Sequence, residues 1–170
     1  MDIRKAVLED IDRIDDIYNQ AIYEKYKTAD LTPLSKEKRL EWFKEHSTEY
    51  PIYVAEIEKT VVGYIYISPY RQGRMALKQT VEVSFYIDKD YRGKGIGKKL
   101  LEYIELECHN LGIKTIFAIV IENNNSSKIL LDKCGYELWG HLPKVVLFDN
   151  MELGHLYYGK RIMEYRRNET

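Results

Sequence analysis

Arg92-Gly93-Lys94-Gly95-Ile96-Gly97-Lys98-Lys99 is the stretch that decides the fold. It separates an alternating, β-rich run from an amphipathic helical one. Its glycines, at 93, 95 and 97, admit backbone angles closed to other residues and let a ligand approach the main chain. A helix starting here presents unpaired N–H groups and a partial positive charge, an anion site suited to a pyrophosphate. Two common phosphate loops do not fit. A P-loop needs Gly-x-x-x-x-Gly-Lys-Ser/Thr, whereas position 92 is Arg and Gly97-Lys98 is followed by Lys99. A dinucleotide fingerprint, Gly-x-Gly-x-x-Gly, counted from Gly93 ends on Lys98. The spacing that fits is Arg/Gln-x-x-Gly-x-Gly/Ala, at Arg92, Gly95 and Gly97.

Working outward, residues 80–87 alternate strictly. Val81, Val83, Phe85 and Ile87 share one face; Thr80, Glu82, Ser84 and Tyr86 share the other. Beyond the glycine-rich turn at 88–97, residues 98–111 form a helix with Leu100, Leu101, Ile104 and Cys108 inward, stopped by Gly112. Residues 113–121 read as a buried strand and 123–125 as a turn. Ser126 or Ser127 caps a short helix to Cys134, ended by Gly135. Residues 136–140, 145–148 and 156–165 are final strands or extended segments. Toward the N-terminus, residues 2–6 are a strand, and residues 8–25 are a helix with Ile11, Ile14, Ile17, Ala21 and Ile22 on one face. Ser35 caps a second helix to about His46, with Leu40 and Phe43 inward. Residues 52–57 and 61–68 form a hairpin about Glu58-Lys59-Thr60, and 70–78 is a polar, basic loop. The order βααβββαβαβ(β) describes a mixed α/β fold with an antiparallel meander first and crossover helices later.

The 170 residues are expected to form one domain, 1–170. The 26 basic and 27 acidic residues leave a net charge of -1, which argues against a general nucleic-acid or membrane-surface binder. Locally the balance differs: residues 71–99 hold eight basic and three acidic side chains. Cys108 and Cys134 form no disulfide framework and, without paired histidines, no zinc site, so no metal is expected. The N-terminal residues lack the apolar core of a secretory signal, and no apolar run approaches the ~20 residues that span a bilayer. The expected location is the cytoplasm. The 15 tyrosines fall in strand and helix patterns, where they pack, rather than in basic loops, where they would stack on bases. His46, His109, His141 and His155 show no triad or ligand spacing and are read as structural or surface residues.

The loop with its flanking strand and helix resembles the acetyl-CoA-binding motif of the GNAT N-acetyltransferase superfamily. A second element agrees: Asn124, Ser127 and Gly135-Tyr136 resemble the family's Asn-x-x-Ala/Ser helix ending in Gly-Phe/Tyr. Ile17-Tyr18-Asn19, Glu41-Trp42-Phe43, Tyr53-Val54-Ala55-Glu56, Gly63-Tyr64 and Thr80-Val81-Glu82 with Ser84 are similar to the phosphinothricin acetyltransferase branch, over residues 3–148. The resemblance implies a central, mostly antiparallel twisted sheet of about seven strands flanked by about four helices. It implies acetyl-CoA as co-substrate and direct transfer, in a ternary complex, to the amine of phosphinothricin, methionine sulfoximine, methionine sulfone or a similar small amino acid. Pairing into a homodimer is common in this branch.

Residue by residue, the resemblance lays the pantetheine arm along Phe85, Tyr86 and Ile87 and the pyrophosphate on Arg92, Gly93, Lys94, Gly95, Ile96, Gly97 and Lys98. Asn124, with Ser127, bonds the pantetheine. Glu82 is the base that takes the proton of the substrate ammonium. Arg71 or Arg74 can clamp a carboxylate or phosphinate. Two departures stand out. Leu131 occupies the position where many members carry a Tyr that protonates the departing thiolate; either Tyr86 or Tyr136 substitutes, or the acid is dispensable, since a thiolate with a pKa of about 8–9 is a tolerable leaving group. Leu147-Phe148-Asp149-Asn150-Met151 replaces the usual Lys-Phe-Gly-x-Trp, which puts the amine substrate and the role of residues 151–170 in question. Two alternatives follow: transfer to another amine (a peptide N-terminus, a polyamine or an aminoglycoside), or a CoA-binding sensor without turnover.

Overall fold

Strict alternation makes residues 80–87 a strand that buries one face, and this strand lies at the centre of the sheet. The computed structural model describes residues 1–46 and 48–163. In chain order the elements are β1 (Asp2–Lys5), α1 (Ile11–Tyr23), α2 (Lys36–Glu45), β2 (Ile52–Ile57), β3 (Thr60–Pro69), β4 (Thr80–Ile87), α3 (Ile96–Asn110), β5 (Thr115–Ile121), α4 (Asn125–Lys133), β6 (Glu137–Phe148) and β7 (Met151–Arg161). They build a seven-stranded sheet in the order β1-β2-β3-β4-β5-β7-β6. Every neighbouring pair is antiparallel except β4 with β5, whose parallel pairing is joined through α3. The mixed, mostly antiparallel fold expected from the element order is the fold observed.

The two sheet faces carry separate cores. Leu100, Leu101, Ile104 and Cys108 of α3 and Leu131 of α4 pack with Val62, Ile67, Val81, Val83 and Ile116. On the other face Ile14, Ile17, Tyr18 and Ile22 of α1 pack on Ile52, Val54, Val61 and Tyr64. Each such side chain contributes about 1.5–3 kcal/mol of burial. Glu82, Ser84 and Tyr86 lie on the α1 face, because their cross-strand partners there are Ser68, Tyr66 and Tyr64.

Several boundaries differ from expectation for identifiable reasons. The helix after the glycine loop starts at Ile96 rather than Lys98, since Gly95, at φ 78, is its N-cap. The short helix is capped by Asn124, whose side chain accepts from the Ser127 N–H, rather than by a serine. In α2, Leu40 and Phe43 are only half-buried, and the residue turned fully inward is Arg39, 3% exposed. It bonds Asp15 at 2.7 Å and lies over the rings of Tyr18 and Trp42. The expected segments 136–140 and 145–148 fall in one edge strand, β6, which starts at Glu137 and is kinked by irregularities between Leu138 and Gly140 and between Leu142 and Val146. Pro143 falls in the second of these, where no ladder donor is needed. The last strand is Met151–Arg161; Glu164 and Tyr165, included in the expected segment 156–165, lie outside the described residues.

Candidate active site

The site is an opening in the sheet. The ladder between β4 and β5 covers only Thr80–Glu82 against Thr115–Phe117. Beyond it the strands part, and two adjoining cavities fill the gap. The first, about 440 Å³, runs from Phe85, Tyr86 and Ile87 to the loop at Gly93, Gly95 and Gly97. The second, about 250 Å³, lies between residues 82–86 and 118–121. Lys27, Phe85, Tyr86, Asn124 and Ser127 line both.

The loop is shaped from below by Asp88, 3% exposed. Its carboxylate accepts from Arg13 at 2.5 Å, Gln20 at 3.0 Å and the Asp90 N–H at 2.9 Å. Gly93 and Gly95 then take positive φ, 75° and 78°. Gly97 serves a different end: a Cβ there would stand 2.7 Å from Leu130 Cδ2, so its bareness lets α3 approach α4. No side chain caps α3, and its first turn holds no acidic residue. Its leading N–H groups therefore face the first cavity without a partner from a cap. This cradle fits a pyrophosphate, and the long apolar gap leading from it fits a pantetheine.

Glu82, half-buried, lines the second cavity, and burial raises its pKa above the ordinary carboxylate range. Tyr66 and His155 line it as well. Burial lowers the pKa of His155, whose ring has no hydrogen-bond partner among the described residues. Lys27 donates to Asn124 Oδ1 at 3.1 Å and to Ser126 Oγ at 2.6 Å. Burial, then the charge of Arg92, lowers its pKa. Thr28 and Ala29, from the loop between α1 and α2, complete the wall. That loop is pinned by the Tyr18 hydroxyl, which donates to Asp30 at 2.5 Å and lies 2.8 Å from Thr28 Oγ1.

Most of the residues singled out from sequence converge here. Phe85, Tyr86, Ile87, Arg92, Gly93, Gly95, Ile96, Gly97, Lys98, Asn124 and Ser127 line the first cavity, and Glu82 lines the second. Arg92 also holds the loop to α1, bonding Glu24 at 2.6 Å and the Ile87 carbonyl at 3.0 Å. Lys94 lines neither cavity; its ammonium donates to the Asp90 carbonyl and lies over Tyr91. Arg71 and Arg74 are exposed on the 70–78 loop and line neither cavity. Tyr136, one of the two substitute acids, is buried elsewhere, with Lys160 over its ring. Sequence reasoning missed Lys27, Tyr66 and His155. His155, expected to be structural or at the surface, instead lines the second cavity, brought there by β7 pairing with β5. No local spacing marks a residue that arrives through such a non-local pairing. Among the described residues no cluster of His, Cys, Asp or Glu is placed to hold a metal ion, and no helix is long and apolar enough to cross a membrane.

The model of the acetyltransferase (GNAT) family matches residues 11–136. The YwnH protein of Bacillus subtilis, provisionally named a phosphinothricin acetyltransferase, is 38% identical over 150 residues, 88% of this chain and 91% of its own. The L-methionine sulfoximine/L-methionine sulfone acetyltransferase of Pseudomonas aeruginosa is 32% identical over 145 residues, 84% of each chain. Among solved structures, a phosphinothricin acetyltransferase of Sinorhizobium meliloti in complex with acetyl-CoA superposes with a TM-score of 0.85 at 30% identity. That match covers 94% of this chain and 87% of the other.

Proposed function

The chain belongs to the GNAT acetyltransferase family and is an N-acetyltransferase, and from that premise we propose how it works and on what. The donor is acetyl-CoA, its pyrophosphate on the N–H groups at the start of α3 and its pantetheine in the gap between β4 and β5. The acceptor is the amine of a small amino-acid-like substrate of the phosphinothricin, methionine sulfoximine or methionine sulfone type. The whole of residues 1–170 serves as one catalytic domain. The observation that carries this reading is the pair of adjoining cavities, one ending on uncapped helix N–H groups and the other holding a half-buried carboxylate.

Transfer is direct, within a ternary complex. Glu82 takes a proton from the substrate ammonium, and its raised pKa makes it a better acceptor than an ordinary carboxylate. Asn124 and the main chain of residues 85–87 align the donor. The cysteines give no reason to invoke an acyl-enzyme. Burial pushes the Cys108 thiol up to about 12, and it also raises that of Cys134. Arg71 and Arg74 line neither cavity as the loop stands; they are the proposed clamp for the acidic group of the substrate at the outer rim, on a loop whose Tyr70 packs on Phe117, the β5 partner of Glu82. A homodimer would cover the edge strand β6, where Leu138, Trp139, Leu142, Val145 and Leu147 are exposed.

Release of CoA thiol, measured with a panel of amines, tests the reading. Turnover confined to phosphinothricin, methionine sulfoximine and methionine sulfone, and lost in Glu82→Gln, is expected. Turnover with spermidine, an aminoglycoside or a peptide would keep the donor and overturn the acceptor. Acetyl-CoA binding without turnover of any amine would favour the sensor.

A further inference from the structure

The two cavities meet at a seam lined by Lys27, Phe85, Tyr86, Asn124 and Ser127. Of these, Lys27 alone carries a charge. Its ammonium is half-buried, forms no ion pair among the described residues, and is held by two neutral oxygens, Asn124 Oδ1 and Ser126 Oγ. An uncompensated cation in a partly desolvated place is costly unless something anionic arrives there. If the donor fills the first cavity and the amine the second, the reacting carbon and its sulfur lie at this seam. The side chain at position 131 offers no help, because Leu131 is fully buried in the core.

We propose that the ammonium of Lys27 stabilises the negative charge that develops on sulfur as the thiol leaves, and so replaces a proton donor. The inference rests on the acetyl-CoA reading. The steps balance as follows. Glu82 has taken one proton from the substrate ammonium, and the free amine adds to the thioester carbon. The adduct collapses, the C–S bond breaks, and its electron pair goes to sulfur beside Lys27. The acetylated nitrogen then sheds its second proton to the thiolate, and Lys27 keeps its own. The charged and titratable groups facing this space are Glu82, Tyr66 and His155 across the second cavity, Tyr86 at the seam, and Tyr91, Arg92, Lys98 and Lys133 along the first, with Glu24 paired to Arg92.

The test is the titration of the thiol of bound CoA, followed by the ultraviolet absorbance of the thiolate, in wild type, Lys27→Met and Lys27→Arg. CoA affinity is measured alongside. An opposite charge within hydrogen-bond reach shifts a pKa by about 1–3 units. The thiol bound to wild type and to Lys27→Arg should therefore titrate about 1–3 units below the thiol bound to Lys27→Met. Equal titration in wild type and Lys27→Met, with CoA bound to both, would overturn the proposal and leave the donor reading intact. Loss of CoA binding in Lys27→Met alone would also overturn it, making Lys27 a ground-state binding residue. Failure of wild type to bind CoA would remove the donor reading and this inference together.

Discussion

Among the described residues Glu82 is the only carboxylate lining the second cavity, and burial is the cause of its raised pKa. Glu82→Gln removes the proton acceptor while keeping the shape, so kcat should fall about 10²–10⁴-fold with CoA affinity unchanged. Steady-state kinetics and calorimetric CoA titration check this. In the wild type the rate should rise with pH through a limb above the usual carboxylate value of about 4.3, because the basic form is populated only above the raised pKa. The same shift has a cost in stability. A folded-state pKa above the unfolded one favours folding while the group is protonated, and that contribution is lost as pH rises through the folded value. Glu82→Gln should therefore melt no lower than wild type at neutral pH. A clear drop in its melting temperature would show that the carboxylate supports the fold instead.

The elements around the loop divide its glycines by function. Gly95→Ala meets no atom within 4 Å but must hold φ 78, which costs about 1–2 kcal/mol for a residue with a Cβ. Gly97→Ala instead drives a methyl group against Leu130, a flexible side chain lining the first cavity. It should cost about 1–3 kcal/mol by overpacking and also weaken CoA binding. Urea unfolding paired with CoA titration separates the two: both variants lose stability, and Gly97→Ala shows the reshaped groove. Beneath the loop, Asp88→Ala strands three donors, on Arg13, Gln20 and Asp90, and should cost about 1–3 kcal/mol for those left dry. Much at this scale was legible. Alternation marked β4, and the glycine spacing marked the start of α3 to within two residues. The cap of α4 was misplaced because three asparagines precede two serines and any of them can cap; Asn124 prevails because its side chain reaches the Ser127 N–H. Arg39 was missed because a periodicity search discards a charge on an apolar face. Here the guanidinium is paired with Asp15 and sandwiched between aromatic rings.

For the whole molecule, the element order predicted the mixed sheet, but it could not show that β7 inserts between β5 and β6 and so carries His155 to the second cavity. That pairing joins segments far apart in sequence and leaves no local signature. It bears on how the fold fails in acid. Burial lowers the pKa of His155; for His46 burial does the same and outweighs the Trp42 carbonyl, which favours the cation. A depressed histidine pKa means that the unfolded chain binds protons the folded one refuses, so stability falls as pH drops from about 6.5 toward the folded values. Asp10 and Asp88 act lower. Burial alone would raise both, but hydrogen bonds outweigh it: to Arg4 and the Val7 N–H for Asp10, and to Gln20, the Asp90 N–H and Arg13 for Asp88. Their stabilisation is present above the unfolded pKa of about 3.9 and lost as pH falls through the depressed folded values. Urea midpoints measured against pH should therefore decline in two stages, one beginning near pH 6.5 and one below about 4. His46→Phe with His155→Asn should flatten the first stage and spare the second, whereas Asp88→Asn should reduce only the second. A single decline confined below about pH 4 would show that neither ring is kept neutral by burial.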